Sequence, residues 1–506
     1  MAPGWTTLRE ILLPEMAASA RGNRERTLEA ALRTGIREGR LAAGSRLPSS
    51  RDLAAQLGVA RGTVTSAYAQ LAAEGYVTSR RGSGTSVAKV AGSESNSASR
   101  AVSVRSAAPL WDLRPGLPAL AAFPRAAWLG ALRLGLAELA DHDLGYPEPA
   151  GLPALRTELA AYLGRVRSVH ADPGDLIITH GAAEGFSLLA TLLRRSGHQT
   201  IAVEDPGHPG QPQLFAEHGL STTPIPVDDR GLRIDALTAA EVRAVLVTPA
   251  HQFPLGVAMA ADRRRELVDW ARRVNGVILE DDYDAEHRYD RPAIGSIHSL
   301  APAHVVYLGS VSKTLAPALR LGWLVSPAGM GAELARIKLF RDLGTGTLEQ
   351  AALSQLIRNG GYDRHLRRTR RINRDRRDAL AGALATRLSS WRVRGPAAGL
   401  HLVVELPAGS DDRLVSAALA EAGVAAPALS SYARGDAGVP VPGLVLGYAS
   451  MSVDRLRAAV DALAGIVAGL GAAVGTASTA PRGEPTAAPA PDSSQASTVP
   501  GPLPAT

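Results

Sequence analysis

GSVSKTLAPALRLG (309–322) continues the apolar run VVYLG (305–309). A β-branched run of this length bounded by glycine reads as a strand, and just past it stands a lysine in a Ser-x-Ser-Lys setting. A lysine held at such a point can form a Schiff base with an aldehyde. Ser310, Ser312 and Arg320 add hydroxyl donors and a guanidinium fork, a set suited to a phosphate. Alone, Lys313 would more often be an ordinary loop lysine, so the rest of the chain has to decide.

Three further stretches carry related chemistry. VILEDDYDAEHRY (277–289) is an apolar strand ending in acids, with Asp281 and Tyr283 on one side of an extended chain. A pyridine nitrogen needs a carboxylate to stay protonated and act as an electron sink, and Tyr283 can donate to an oxygen on the ring. Alone, these acids could equally form a magnesium site or a solvated turn. DLIITHGAAEGFSLLATLL (175–193) runs from a strand through Gly181 into a helix, where the N–H groups of Ala182 and Ala183 suit a phosphate. Such a glycine is common and weak by itself. TPAHQFPLG (248–256) is a strand followed by a turn with Pro and Gly. Asp281 and Lys313 are 32 residues apart, room for a helix and a strand. All four motifs then fall at strand C-terminal ends, where open parallel sheets place their ligand loops.

The remaining strand candidates are TIAVE (200–204), AVLVT (244–248) and GVILE (276–280), interspersed with helical stretches such as ADRRRELVDWARRV (261–274). This alternation over residues 110–472 predicts an α/β domain with a mostly parallel sheet covered on both faces. Residues 89–109, rich in Ser and Ala, read as a flexible linker, and 473–506, rich in Ala, Pro, Ser and Thr, as a disordered tail. The chain has no cysteine, which excludes disulfides, thiolate catalysis and Cys-based metal sites and fits a reducing cytoplasm. No metal site is expected. No run of about 18 apolar residues lacks charge, so no transmembrane helix or membrane partner is expected. MAPGWTTLREILLPEM is a poor signal peptide.

Residues 1–88 form a separate module. RTLEAALRTGIREGRL (26–41) has helical spacing of apolar residues; LPSSRDLAAQLGV (47–59) opens with the capping-box pattern Ser49-x-x-Asp52 and ends at Gly58. ARGTVTSAYAQLAAEG (60–75) puts Val64, Tyr68 and Leu71 on one side, with Arg61, Thr63, Thr65 and Ser66 on the other. YVTSRRGSGTSVA (76–88) reads as two short strands around a basic tip, where Gly82 and Gly84 allow the turn. Helix, turn, helix and basic hairpin is the winged helix-turn-helix order, whose second helix can enter the major groove. Arg51, Arg80 and Arg81 are candidates for phosphates. Residues 1–89 hold 13 Lys or Arg against 7 Asp or Glu, most of the net +7 of the chain, which suggests a polyanion partner for this module. A small helical interaction domain with a solvated hairpin would share these features.

GRLAAGSRLPSSRDLAAQLGVARGTV and YAQLAAEGYVTSRRGSGTSVA closely resemble the DNA-binding domain of the GntR family. That resemblance implies DNA contacts from Arg51, Arg61, Thr65 and the Arg80–Gly84 wing. The four motifs of the large domain resemble fold-type-I aminotransferases. With RPGLPALAAFPRAAW (114–128), YPEPAGLPALRTELAAYL (146–163) and EDPGHPG (204–210), the whole is similar to the MocR/GabR-type regulators over roughly 25–470. The resemblance implies pyridoxal 5'-phosphate as cofactor, with Lys313 as its Schiff-base lysine, Asp281 at the pyridine nitrogen and Tyr283 at the ring oxygen. It implies Ala182, Ala183, Ser310, Ser312 and Arg320 around the phosphate. It also implies a homodimer, in a head-to-tail arrangement where the family's pattern applies.

The chain departs from that pattern at three places. His208 stands where the family usually has the tyrosine that stacks on the ring; it can stack, or be a loop histidine. Gly210 stands where γ-aminobutyrate-responsive members have an arginine, and an approximate alignment places Leu444 at the usual carboxylate-binding arginine, with Arg434 nearby. The reading is a DNA-binding transcriptional regulator that uses the cofactor, or a small amine condensing with it, as its signal. The alternative is a working aminotransferase with an appended DNA module, which the Lys313–Asp281–Tyr283 set allows and the absent arginine weighs against. A large domain that binds nothing is a third reading, at odds with the intact set.

Overall fold

The structure is a computed structural model that describes residues 23–80, 84–89, 109–289, 294–435, 439 and 441–477, with side chains in the last helix to 469. Contacts divide the chain into two units, residues 1–106 and 107–506.

The first unit packs helices Arg24–Arg37, Ser50–Leu57 and Arg61–Ala73 around Leu28, Leu32, Leu53, Val64 and Leu71. The middle helix starts where the capping pattern sets it. Ser49 accepts from the Asp52 N–H at 3.2 Å, and its hydroxyl donates to the Asp52 carboxylate at 2.7 Å. It stops at Gly58, whose φ of 60° lies in the left-handed region. Strands β2 (Val77–Arg80) and β3 (Gly84–Val87) form the expected hairpin. A short strand not foreseen, β1 (Arg46–Leu47), pairs antiparallel with β3 and completes a three-stranded sheet.

In the second unit, β4 (Trp111–Asp112) pairs with a later strand, and an eight-stranded sheet follows. Its members are β5 (Leu176–Thr179), β6 (Thr200–Asp205), β7 (Ser221–Asp228), β8 (Gly231–Leu232), β9 (Ala244–Val247), β10 (Val277–Asp281), β11 (Val305–Ser310) and β12 (Gly322–Val325). The order is β5-β12-β11-β10-β9-β6-β7-β8, and the pairs β6–β7, β6–β9, β9–β10 and β10–β11 are parallel. All five strands expected from the sequence are present. β12 runs antiparallel to both neighbours, because the connection from β11 is too short for the crossover that a parallel neighbour needs. Apolar clusters cover both faces, with Leu246, Leu279 and Leu308 toward one and Val245, Ile278 and Val305 toward the other.

The long helix Gly361–Arg387 leads to a smaller sheet of β13 (Arg392–Arg394), β14 (His401–Glu405) and β16 (Gly443–Gly447), while β15 (Val424–Ala425) pairs with β4. The last helix extends to Ala477, past the boundary expected at 472. Residues 478–506, and 90–108 of the expected linker, lie outside the described residues. Among the described residues, no helix is long and apolar enough to cross a membrane.

Candidate functional site

The C-terminal ends of β5, β6, β9, β10 and β11 surround a cavity of about 470 Å³. Residues expected from four separated motifs line it together: Ala182 and Ala183, His208, Asp281 and Tyr283, Ser310, Ser312, Lys313 and Arg320. Parallel strands put their ends on one edge, and this brings residues more than a hundred positions apart into one wall.

One end of the cavity is built for an anion. Gly181, at φ 82°, turns the chain into the helix Ala182–Arg195, whose first N–H groups are free. Arg320 donates to the His180 carbonyl at 2.6 Å, and a Cβ on Gly181 would meet its guanidinium at 3.4 Å. Ser310 and Ser312 share a hydrogen bond of 2.7 Å beside it.

Asp281 faces the cavity from the end of β10, and among the described residues none donates a hydrogen bond to its carboxylate. The protein packed around it, then the charge of Asp282, push its pKa up to about 7, while Lys313 acts the other way. A cation in the cavity would reverse that shift. Tyr283 lies 3.1 Å from His251 Nδ1, which is 2.9 Å from Asp284. The Lys313 amine donates to the Gly116 carbonyl, and burial holds its pKa below the ordinary lysine value, with Asp284 and Asp281 opposing. A buried amine of lowered pKa is the more available nucleophile. His208 lines the rim of the cavity, its ring centroid 5.7 Å from Phe253; burial, then Lys313 and Arg434, lower its pKa.

Several lining residues had not been singled out. Glu204 holds the Thr248 N–H at 3.1 Å with one carboxylate oxygen; the other is buried without a partner, and burial raises the pKa to about 7. Gly116 and His401 join from distant segments. Glu204 ends a strand candidate and opens a stretch noted for family likeness, Gly116 sits inside a stretch noted only for that likeness, and His401 carried no local signal. Leu444 is buried in the core of the smaller sheet, away from the lining residues. Arg434 donates instead to the Pro209 carbonyl. Among the described residues Arg320 is the one arginine that lines the cavity.

In the first unit, Arg51, Arg61, Thr65 and Arg80 are exposed and Thr63 is half-buried. Thr65 donates to the Arg61 carbonyl at 3.0 Å, and Arg61 lies 3.5 Å from Ser50 Oγ. Ser66 is engaged by Glu25. Arg81 and Gly82 lie outside the described residues.

Residues 120–463 match the family described as aminotransferase class I and II, and residues 24–87 match the bacterial regulatory proteins of the gntR family. The chain is 36% identical over 428 residues to the HTH-type pyridoxine biosynthesis transcriptional regulator PdxR of Corynebacterium glutamicum, covering 83% of this chain and 91% of that one. It is 32% identical over 459 residues to the probable rhizopine catabolism regulatory protein MocR of Rhizobium meliloti, covering 87% and 92%. Among solved structures it resembles LysN, the α-aminoadipate aminotransferase of Thermus thermophilus, with a TM-score of 0.64 at 26% identity over 72% of this chain and 93% of that one.

Proposed function

This chain belongs to the MocR/GabR-type transcriptional regulators, DNA-binding proteins with an aminotransferase-like domain, and on that premise we propose that its large unit takes pyridoxal 5'-phosphate onto Lys313 as the signal-receiving group. The observation that carries this is the shared cavity: a nucleophilic amine, a half-buried carboxylate with no hydrogen-bond donor among the described residues and an anion-binding end converge there. When bound, the cofactor supplies an electrophilic carbon that a primary amine captures. The chain's residues do the rest. Ala182, Ala183, Ser310, Ser312 and Arg320 hold the phosphate, Asp281 keeps the ring nitrogen protonated, Tyr283 donates to the ring oxygen and His208 covers the ring. The regulatory output is a change in DNA binding, and a ligand produces it only through unequal affinity for two arrangements of the protein.

The partner in solution is a second copy. Helix Arg125–Glu138 exposes Leu129, Leu134 and Leu136, and Leu144, Tyr146 and Phe340 are exposed as well, apolar side chains that a second copy would cover. The signal is the cofactor itself or a small amine without a carboxylate, since among the described residues no second arginine lines the cavity.

The test is absorption spectroscopy of the purified protein with added cofactor, followed by borohydride reduction and peptide mass spectrometry. A reduced adduct on Lys313 is the expected result. An adduct on another lysine, or none, overturns the assignment.

A further inference from the structure

The helix Gly361–Arg387 carries a second concentration of positive charge that the net charge conceals. Residues 361–387 contain 9 Arg and 3 Asp, and 364–374 contain 6 Arg and no acid. Outside this helix and the first 89 residues, the chain holds 33 Lys or Arg against 38 Asp or Glu. The large unit is thus near neutral by cancellation, with a net excess of 6 positive charges, 9 Arg less 3 Asp, on this one helix.

The helix sorts these arginines by face. Arg370 points inward and donates to the Glu286 carbonyl at 2.9 Å. Arg364, Arg367, Arg368, Arg371 and Arg374 are exposed, and their spacing puts them along one side over about 15 Å. Among the described residues, Arg364 and Arg374 donate only to backbone carbonyls, of Asn359 and Tyr289. Arg367, Arg368 and Arg371 have no hydrogen bond or ion pair among the described residues. Other exposed arginines of this unit are either paired, as Arg195 and Arg336 are with Glu333 and Arg358 with Glu138 and Glu158, or scattered singly without an ion pair among the described residues, as Arg125, Arg133 and Arg265 are; this helix gathers them in one row. Like charges three and four residues apart weaken a helix, a cost that an anion lying along the row would offset.

We infer that this arginine row is a second DNA-contacting surface, one that grips the phosphate backbone without reading bases. The inference rests on the DNA-binding reading of the first unit. Duplex DNA presents one negative charge per about 1.7 Å of axis, which gives the row a matching line of charge along its length. Guanidinium forks pair with phosphates bidentately.

The experiment uses the full chain and a duplex of about 150 base pairs of arbitrary sequence, one persistence length. Binding is measured at several salt concentrations for the parent, for Arg367→Gln/Arg368→Gln/Arg371→Gln, and for Arg61→Ala. Loss of three phosphate contacts should lower the salt slope of the triple variant by about 2.7, at about 0.9 per phosphate. Its melting temperature should equal or exceed the parent's, because the substitutions remove like-charge repulsion and no hydrogen bond or ion pair among the described residues. An unchanged slope in a folded triple variant overturns the inference, as does retention of the parent on anionic lipid vesicles with DNA binding unaffected. If the parent and Arg61→Ala both fail to bind any duplex, the DNA-binding reading fails first, a result distinct from the failure of the row.

Discussion

The Lys313 amine donates to the carbonyl oxygen of Gly116 at 2.5 Å, joining residues 197 apart in the chain. The nitrogen is thereby held in the cavity with Asp281 and Tyr283 also in its wall. Burying that amine costs desolvation, and its lowered pKa records the cost. The hydrogen bond to Gly116 offsets that cost, so Lys313→Ala should remove the borohydride-trapped adduct and leave the melting temperature of the cofactor-free protein close to the parent's. Loss of the folded state in the cofactor-free variant would instead assign Lys313 a structural role.

Arg320→Ala should weaken pyridoxal phosphate by about ten- to hundredfold, as expected for a charge-assisted hydrogen bond worth about 1.5–3 kcal/mol. Pyridoxal without its phosphate should bind parent and variant alike. Equal weakening of both ligands in an equilibrium titration would sink the phosphate role.

Asp281 gives a pH signature. Its folded pKa is raised to about 7 in the cofactor-free protein, above the value of about 3.9 for an unfolded chain. A raised acid contributes stability that is fully present below the unfolded pKa and lost as pH rises through the folded one. Asp281→Asn should therefore raise the melting temperature of the cofactor-free protein at pH values above 7, with the gain shrinking toward acid, while cofactor binding weakens. A gain that is the same at every pH would show that ionisation of Asp281 is not its source.

γ-Aminobutyrate should leave the absorption of the cofactor-loaded protein unchanged. Gly210 lies at the cavity and Leu444 is buried elsewhere, so neither supplies a carboxylate partner. A saturable spectral change would locate the missing cation, and Arg434, now bonded to the Pro209 carbonyl, is the first residue to mutate.

On specific DNA, Arg61→Ala should cost about 1–3 kcal/mol and relax sequence preference at one position if it meets a base. Removing Arg81 should weaken all sequences alike and lower the salt slope by about one. Isotherms on specific and scrambled duplexes separate the two; parent-like behaviour of both variants on both duplexes removes this surface from DNA binding.

Much of this was legible locally. The start of the helix at Ser50, its stop at Gly58, and the ends of β10 and β11 follow from spacing within a few residues, since capping and strand periodicity are local hydrogen-bond and packing rules. The order of the four motifs likewise implied the shared sheet edge. Other features had no such trace. β1 is only two residues long, too short to show a period, and exists because β3 offers it an edge. The arginine row was hidden because summing charge over a chain erases where it lies.

By itself, the sequence determined two units, the strand-and-helix alternation, and the residue types available at each strand end. Only the tertiary structure decided which of them meet. Gly116 reaches Lys313 and His401 reaches the cavity wall because the segments that carry them pack against the sheet edge. Leu444 is withdrawn because residue alternation on β16 turns it into the core of the smaller sheet. Such contacts depend on how separated segments bury their apolar faces together, and no spacing along the chain encodes that.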